Sequence, residues 1–219
     1  MADTLGGGIN EDGSLQNTVV IDEADLGKID IVQLSNAGVT EVAVSAPVKD
    51  LEIGLAGDVP SIIAGERLVD AQISNEAPKG ETAEFTLAVT KSKSLEFVTS
   101  GKGVTDFTVS SGKFMKSSIT TATKGKAPDS IEFGSSSTIK SANISTGKGA
   151  DTLTFSGRMK GKTTVDSGKG SDVIEVNRES GKGKLILSDF SKKDTLIVGD
   201  ETFKLADIDD APKFIKFEA

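Results

Sequence analysis

Cysteine and histidine are both missing from this 219-residue chain, and so are tryptophan and tyrosine. Without cysteine there is no disulfide framework and no thiolate metal site. Without histidine the commonest general base and the commonest transition-metal ligand are gone. The aromatic complement is ten Phe. Asp, Glu, Lys, Arg, Ser and Thr are left to carry any chemistry. No apolar run approaches the ~18 residues of a membrane-spanning helix. The opening stretch, MADTLGGG, lacks the basic region and apolar core of a secretory leader. The expectation is a soluble chain with no membrane partner. It would leave a cell by lysis, by a C-terminal signal or within an assembly.

What the chain does have is negative charge, glycine and a period. The net charge is −8 with 24 Gly, and the isoelectric point is about 4.7. An acidic chain repels phosphate backbones, which argues against a nucleic-acid partner. Short segments of alternating apolar and polar residues, bounded by Gly, Ser, Thr and Asn, indicate strands. One apolar column runs Val19, Val42, Ile63, Phe85, Phe107, Ile131, Leu153, Ile174, Leu196. A second follows in each repeat: Ile31, Ile53, Ile73, Phe97, Ile119, Ile144, Val165, Leu187, Ile208. The period is about 22 residues, which identifies stacked units that bury a shared core.

The fold expected is therefore all-β: a parallel β-solenoid, β-roll or β-helix-like, of about nine turns with two short strands each. With turns ~4.8 Å apart it makes a rod of roughly 43 Å. Residues 18–210 would form the solenoid, with 18–75 as an alternative small β attachment domain. Residues 1–17 would be an N-terminal arm or cap. Residues 211–219 would be a C-terminal cap or contact strand, with Phe214, Ile215 and Phe217 as its interface residues.

The repeat also carries a loop motif. The clearest copies are GKGADTLTF (147–155) and GKGSDVIEV (168–176); GKGVTDFTV (101–109) and GKAPDSIEF (125–133) are weaker. Thr146–Thr154 and Ser167–Glu175 resemble the repeats-in-toxin (RTX) nonapeptide G-G-x-G-x-D-x-U-x, each missing the first Gly. The segment LSDFSKKDTLI (187–197) is similar to the phrase that often closes such arrays. The resemblance covers about residues 100–200. It implies a parallel β-roll in which loop carbonyls and the motif Asp hold calcium between turns.

Two readings of the motif stay open. In one, Asp151 and Asp172 are calcium ligands. In the other, no metal is needed: Lys102, Lys126, Lys148 and Lys169, three residues before the Asp column, form a structural ladder that neutralises Asp129, Asp151 and Asp172. The departures from the RTX pattern favour the second, because one carboxylate per turn supplies few of the six to eight oxygens calcium takes.

No catalytic residue is expected. Arg158, Lys160, Asp166 and Arg178 would suit cleavage of an acidic polysaccharide, but a solvated charged face explains them better. The functional expectation is a non-enzymatic structural or decorating protein of a large assembly, such as a virion capsid, tail or fibre component. Its partners would be other structural proteins or further copies of itself. The alternatives are a secreted or surface RTX-type calcium-binding protein, and a glycan-binding or polysaccharide-cleaving β-helix.

Overall fold

A computed structural model describes residues 18–21, 31–34, 41–45, 47–56, 61–121, 125–177 and 183–218. The expected N-terminal arm, residues 1–17, and Arg178 lie outside them. The chain is a parallel β-solenoid: strands pair in parallel from turn to turn, joining nearly all of them into one continuous sheet.

Three ladders run along the solenoid, and we call them faces A, B and C. Face A carries the first apolar column. Asp106–Val109 lies against Ser130–Phe133, which lies against Thr152–Phe155, then Val173–Val176, then Thr195–Val198. Face C carries the second column, with Ile53 opposite Ile73, Ile73 opposite Phe97 and Phe97 opposite Ile119. Ile119 then meets Ile144, Ile144 meets Val165 and Val165 meets Leu187. Between these two, the structure adds a third short ladder, face B. Its inward column is Val48, Leu68, Ser92, Phe114, Ile139 and Met159. The long strands Ser61–Val69, Thr82–Lys93, Val104–Thr120 and Ser130–Ser145 each turn a corner from one face to the next.

The corner between B and C is a column of left-handed residues: Asp50, Asp70, Ser94, Lys116 and Ser141 all have φ between 49° and 70°. That conformation costs roughly 1–2 kcal/mol for a residue with a Cβ. The stacking of adjoining turns holds it, as when the Asp70 amide donates to the Lys93 carbonyl and the Ser94 amide to the Met115 carbonyl.

The core is the space the three faces enclose. Phe85, Phe97 and Phe107 form one aromatic cluster with centroids 4.4–5.2 Å apart, and Phe133 stacks on Phe155 at 5.4 Å. All five are buried. Emptying one such position in a column of neighbours costs about 3–5 kcal/mol.

Three assignments within the columns need correction. Ile63 lies opposite Leu87, and it is Ser61 that faces Phe85. Sequence periodicity is blind to that two-residue slip, because side chains alternate with a period of two and every inward residue stays inward. Val32, not Ile31, faces Ile53; the adjoining apolar pair Ile31–Val32 hides the alternation. Ile208 belongs to a 3₁₀ turn, Leu205–Asp210, and the neighbour of Leu187 is Phe217.

The far end is closed in two ways. Glu201–Phe203 pairs antiparallel with Thr195–Val198, ending face A. Ile215–Phe217 pairs in parallel with Lys184–Leu187 as the last rung of face C. Ile215 is buried, Phe214 and Phe217 pack partly buried against the core, and Phe217 meets Phe190 edge-on at 5.2 Å.

Candidate functional site

Where face C returns to face A, the chain leaves the sheet in a loop and re-enters through the motif aspartate. In the two clear copies the loops stack so closely that side chains do not fit. A Cβ on Gly168, whose φ is +75°, would stand 1.7 Å from the Gly147 carbonyl oxygen, and one on Gly170 would stand 1.6 Å from that of Gly149. This is the physical reason for the two glycines of the motif.

At the loop's return the backbone amide of each motif residue has no carbonyl waiting in the neighbouring turn. The aspartate of the following turn takes that place. Asp129 Oδ1 accepts the Thr105 amide at 2.8 Å, and Asp151 Oδ1 accepts the Asp129 amide at 2.8 Å. Asp172 Oδ1 accepts the Asp151 amide at 3.0 Å, and Asp194 Oδ1 accepts the Asp172 amide at 3.0 Å. Main-chain bonds interleave with these: the Thr152, Val173 and Thr195 amides donate to the carbonyls of Asp129, Asp151 and Asp172, each at 2.8 Å. A buried amide without a partner costs about 1–3 kcal/mol, so each carboxylate stabilises the junction between two turns.

The ladder is sealed from water. Asp129 is 2 % exposed and Asp151, Asp172 and Asp194 are 0 % exposed. A column of small polar residues (Thr99, Thr121, Thr146, Ser167) is buried beside it. The Thr121 hydroxyl donates to Asp129 Oδ2 at 2.8 Å, closing the neck of its loop. The Thr146 hydroxyl donates to the Ser167 carbonyl at 2.9 Å, and Asp189 Oδ1 accepts the Ser167 amide at 2.9 Å. Asp194 ends the series, its Oδ2 accepting the Ser191 amide at 2.6 Å.

The second oxygens of Asp151, Asp172 and Asp189 are buried with no hydrogen-bond donor. Burial drives the carboxyls of Asp129 and Asp151 up to about 6, against the backbone amides that favour the charged form. Asp189 is likewise pushed up to about 6, first by burial and then by the charge of Asp166. Asp172 is raised by burial, with the charge of Asp194 adding to it.

The expected lysines form a row of their own. Lys102, Lys126, Lys148 and Lys169 are exposed on the loop tips, and Lys148 sits in register with Lys169. With Lys193 in line, Lys126, Lys148 and Lys169 border an open groove of about 580 Å³ floored by Gly149, Ala150, Gly170 and Ser171. The aspartates turn the other way, toward backbone amides. Lys49–Asp50, at 3.0 Å, is the ion pair found among the described residues.

Sequence spacing located Asp129, Asp151 and Asp172 on one column. Asp194 and Asp189 both stand in the closing phrase LSDFSKKDTLI but do not emerge from it as site residues: the loop of Asp194, SKKD, lacks glycine, and Asp189 stands on the hydroxyl column rather than the motif position. The repeat interval of about 22 residues from Asp172 would have pointed to Asp194. Arg158 and Lys160 lie on face B while Asp166 lies on face C, so these three do not converge.

The oxygens on offer for a cation are the free carboxylate oxygens of Asp151 and Asp172 together with loop carbonyls. Among the described residues no group of three or more Asp or Glu side chains is gathered as a metal cluster. No described helix is long and apolar enough to cross a membrane. No family model, curated protein or solved structure matches the chain. The protein is thus defined at the level of its fold, a parallel β-solenoid with an internal aspartate ladder.

Proposed function

We propose that this chain is a non-enzymatic β-roll module that works by presenting surface, as a rod on or within a large assembly. A virion decoration or fibre component is one such setting, and the cell surface or extracellular space is the other. The observation that supports it is the use made of the one recurring motif. Its aspartates are enclosed and hold the amides of adjoining turns, so the repeated chemistry serves stacking rather than a reaction at the surface.

The donor-free oxygens of Asp151 and Asp172 favour the extracellular, RTX-type setting. In a buried pair of carboxylates, calcium supplies the counter-charge that the lysines do not. Asp151 and Asp172 would hold it with the carbonyls of the stacked loops. These would be the most strongly coupled turns, with the rest of the rod following from them.

A thermal melt followed by circular dichroism, in chelator and then in millimolar calcium, tests this. For the RTX-type setting the expected result is a rise in Tm of roughly 5–10 °C with saturating calcium, the size that binding at about 100 Kd gives a domain of this length. Asp151→Asn with Asp172→Asn should abolish the rise. An identical cooperative melt in both buffers would remove the calcium-linked setting and leave the metal-free structural rod.

A further inference from the structure

Face B segregates charge in a way that neither the ladder nor its stacking requires. Its rungs are residues 48–49, 67–69, 91–93, 113–115, 138–140 and 158–160. Their inward members are Val48, Leu68, Ser92, Phe114, Ile139 and Met159, all buried. Of their outward members all but Val69, Met115 and Thr138 are cations. One row runs Arg67, Lys91, Lys113, Thr138, Arg158 in continuous register. The second runs Lys49, Val69, Lys93, Met115, Lys140 in register, and Lys160 continues it through its amide bond to the Ile139 carbonyl. No Asp or Glu stands on any of these rungs.

The carboxylates stand on the neighbouring faces. Face A presents Glu84, Asp106, Glu132 and Glu175 and no Lys or Arg on its rungs. Face C presents Glu52, Glu76, Glu96 and Asp166 and takes up cations only on its last three rungs, where Lys162 pairs with Lys184 and Lys216 follows. In a chain of net charge −8, in-register stacking of like charges ~4.8 Å apart is unfavourable. It persists here along three consecutive rungs, Arg67, Lys91 and Lys113, in one row and along two, Lys140 and Lys160, in the other.

We propose that face B is a docking surface for a single-chain acidic polysaccharide laid along the solenoid axis. Complementarity of charge and of width carries this. The two rows are ~7 Å apart, the distance between alternate residues of a strand, and the stretch from Arg67 to Arg158 is about 20 Å long. That is a track for one narrow polyanion. A duplex, whose major groove alone is about 12 Å wide, would overhang onto the carboxylates of faces A and C, as would an anionic membrane. Single-stranded nucleic acid fits the width but finds no aromatic platform, since the outward residues of these rungs include none and base stacking is what such sites provide. Lys91, Lys113, Lys140 and Lys160 border an open concavity of about 320 Å³, which suits carboxylate or sulfate groups repeating along a glycan.

Binding of polygalacturonate to the full chain, measured calorimetrically in chelator at low and at raised salt, is the test. Neutral dextran and poly(dT) serve as comparison probes. The expected result is binding of polygalacturonate, none of dextran, weaker binding of poly(dT), and a steep loss with salt. The variant Lys91→Ser/Lys113→Ser/Lys140→Ser/Lys160→Ser should weaken it by about tenfold or more. The same four changed to Arg should retain it, which guards against a folding defect. Lys126→Ser/Lys148→Ser/Lys169→Ser, on the loop tips, should retain it too. No polygalacturonate binding, equal or tighter binding of poly(dT), loss only in the loop-tip variant, or salt-sensitive self-association of the protein in place of glycan binding would each overturn the proposal. Because the measurement is made in chelator, its outcome is independent of whether the aspartate ladder takes calcium.

Discussion

Asp151 accepts the backbone amide of Asp129, one full turn away, through Oδ1 at 2.8 Å, and its own amide is held in the same way by Asp172. The side chain therefore does two separable things: one oxygen completes the main-chain bonding, and the other is a buried, donor-free acceptor. Two substitutions separate them. Asp151→Ala orphans the Asp129 amide in a buried site and should cost about 1–3 kcal/mol in urea denaturation. Asp151→Asn keeps an acceptor for that amide and removes the charge, so in metal-free buffer at neutral pH it should cost less than the Ala variant. Equal losses in the two would mean that the amide bond is not what the aspartate contributes.

The ladder also sets a pH dependence of unusual sign. Burial raises the carboxyls of Asp129, Asp151 and Asp189 to about 6 in the folded chain, above the ordinary value near 4 of an unfolded one. The folded state then binds more protons than the unfolded state between those two values, so stability falls as pH rises through that window. In chelator, the Tm should rise as pH is lowered from 7 to about 5, where many proteins lose stability. Asp151→Asn should flatten part of that slope. A Tm that falls steadily on acidification would show that these carboxyls are charged and compensated in the fold.

The solenoid was legible because its period repeats residue types as well as hydropathy. Leu153, Ile174 and Leu196 sit opposite one another as their spacing predicts. Face B was not legible, because its rungs are two or three residues long and only one residue of each points inward. KSK around Ser92 and RMK around Met159 look like solvated charge in a sequence. Nor could spacing reveal which way Asp151 turns. A Lys–Asp pair on a loop tip and an Asp–amide bond inside the neck use the same residues at the same interval, and the backbone of the adjoining turn decides between them.

The stacked loops make a sharp comparison of two glycines. Gly80 has φ +90° and nothing within 4 Å of a built Cβ, whereas Gly168 has φ +75° and the Gly147 carbonyl oxygen at 1.7 Å. Gly80→Ala should carry the left-handed backbone cost alone, about 1–2 kcal/mol. Gly168→Ala must also push two main chains apart, and it should cost more, lowering Tm further and loosening the 147–151 and 168–172 loops together. Hydrogen exchange at the Lys169 amide, which donates to the Gly147 carbonyl at 2.8 Å, would report the loosening. Equal costs would mean that the two loops do not approach as closely as described.

The end of face C gives a last distinction, between a strand that closes the rod and a strand that recruits a partner. Ile215–Phe217 covers the edge of Lys184–Leu187, and Phe217 fills the space beside Phe190. A parallel edge with Leu185 and Leu187 beneath it would, if uncovered, template the addition of another chain. Truncation before Ala211 should therefore produce concentration-dependent oligomers on size-exclusion chromatography together with a lower Tm. Phe217→Ala, which keeps the backbone rung and removes only the ring, should stay monodisperse and, because Phe217 is only partly buried, lose less than the ~3–5 kcal/mol of a fully buried Phe. If the truncated chain remained monodisperse with an unchanged melt, Phe214, Ile215 and Phe217 would be free to serve as a contact surface instead of a cap, and the search for a structural partner would begin there.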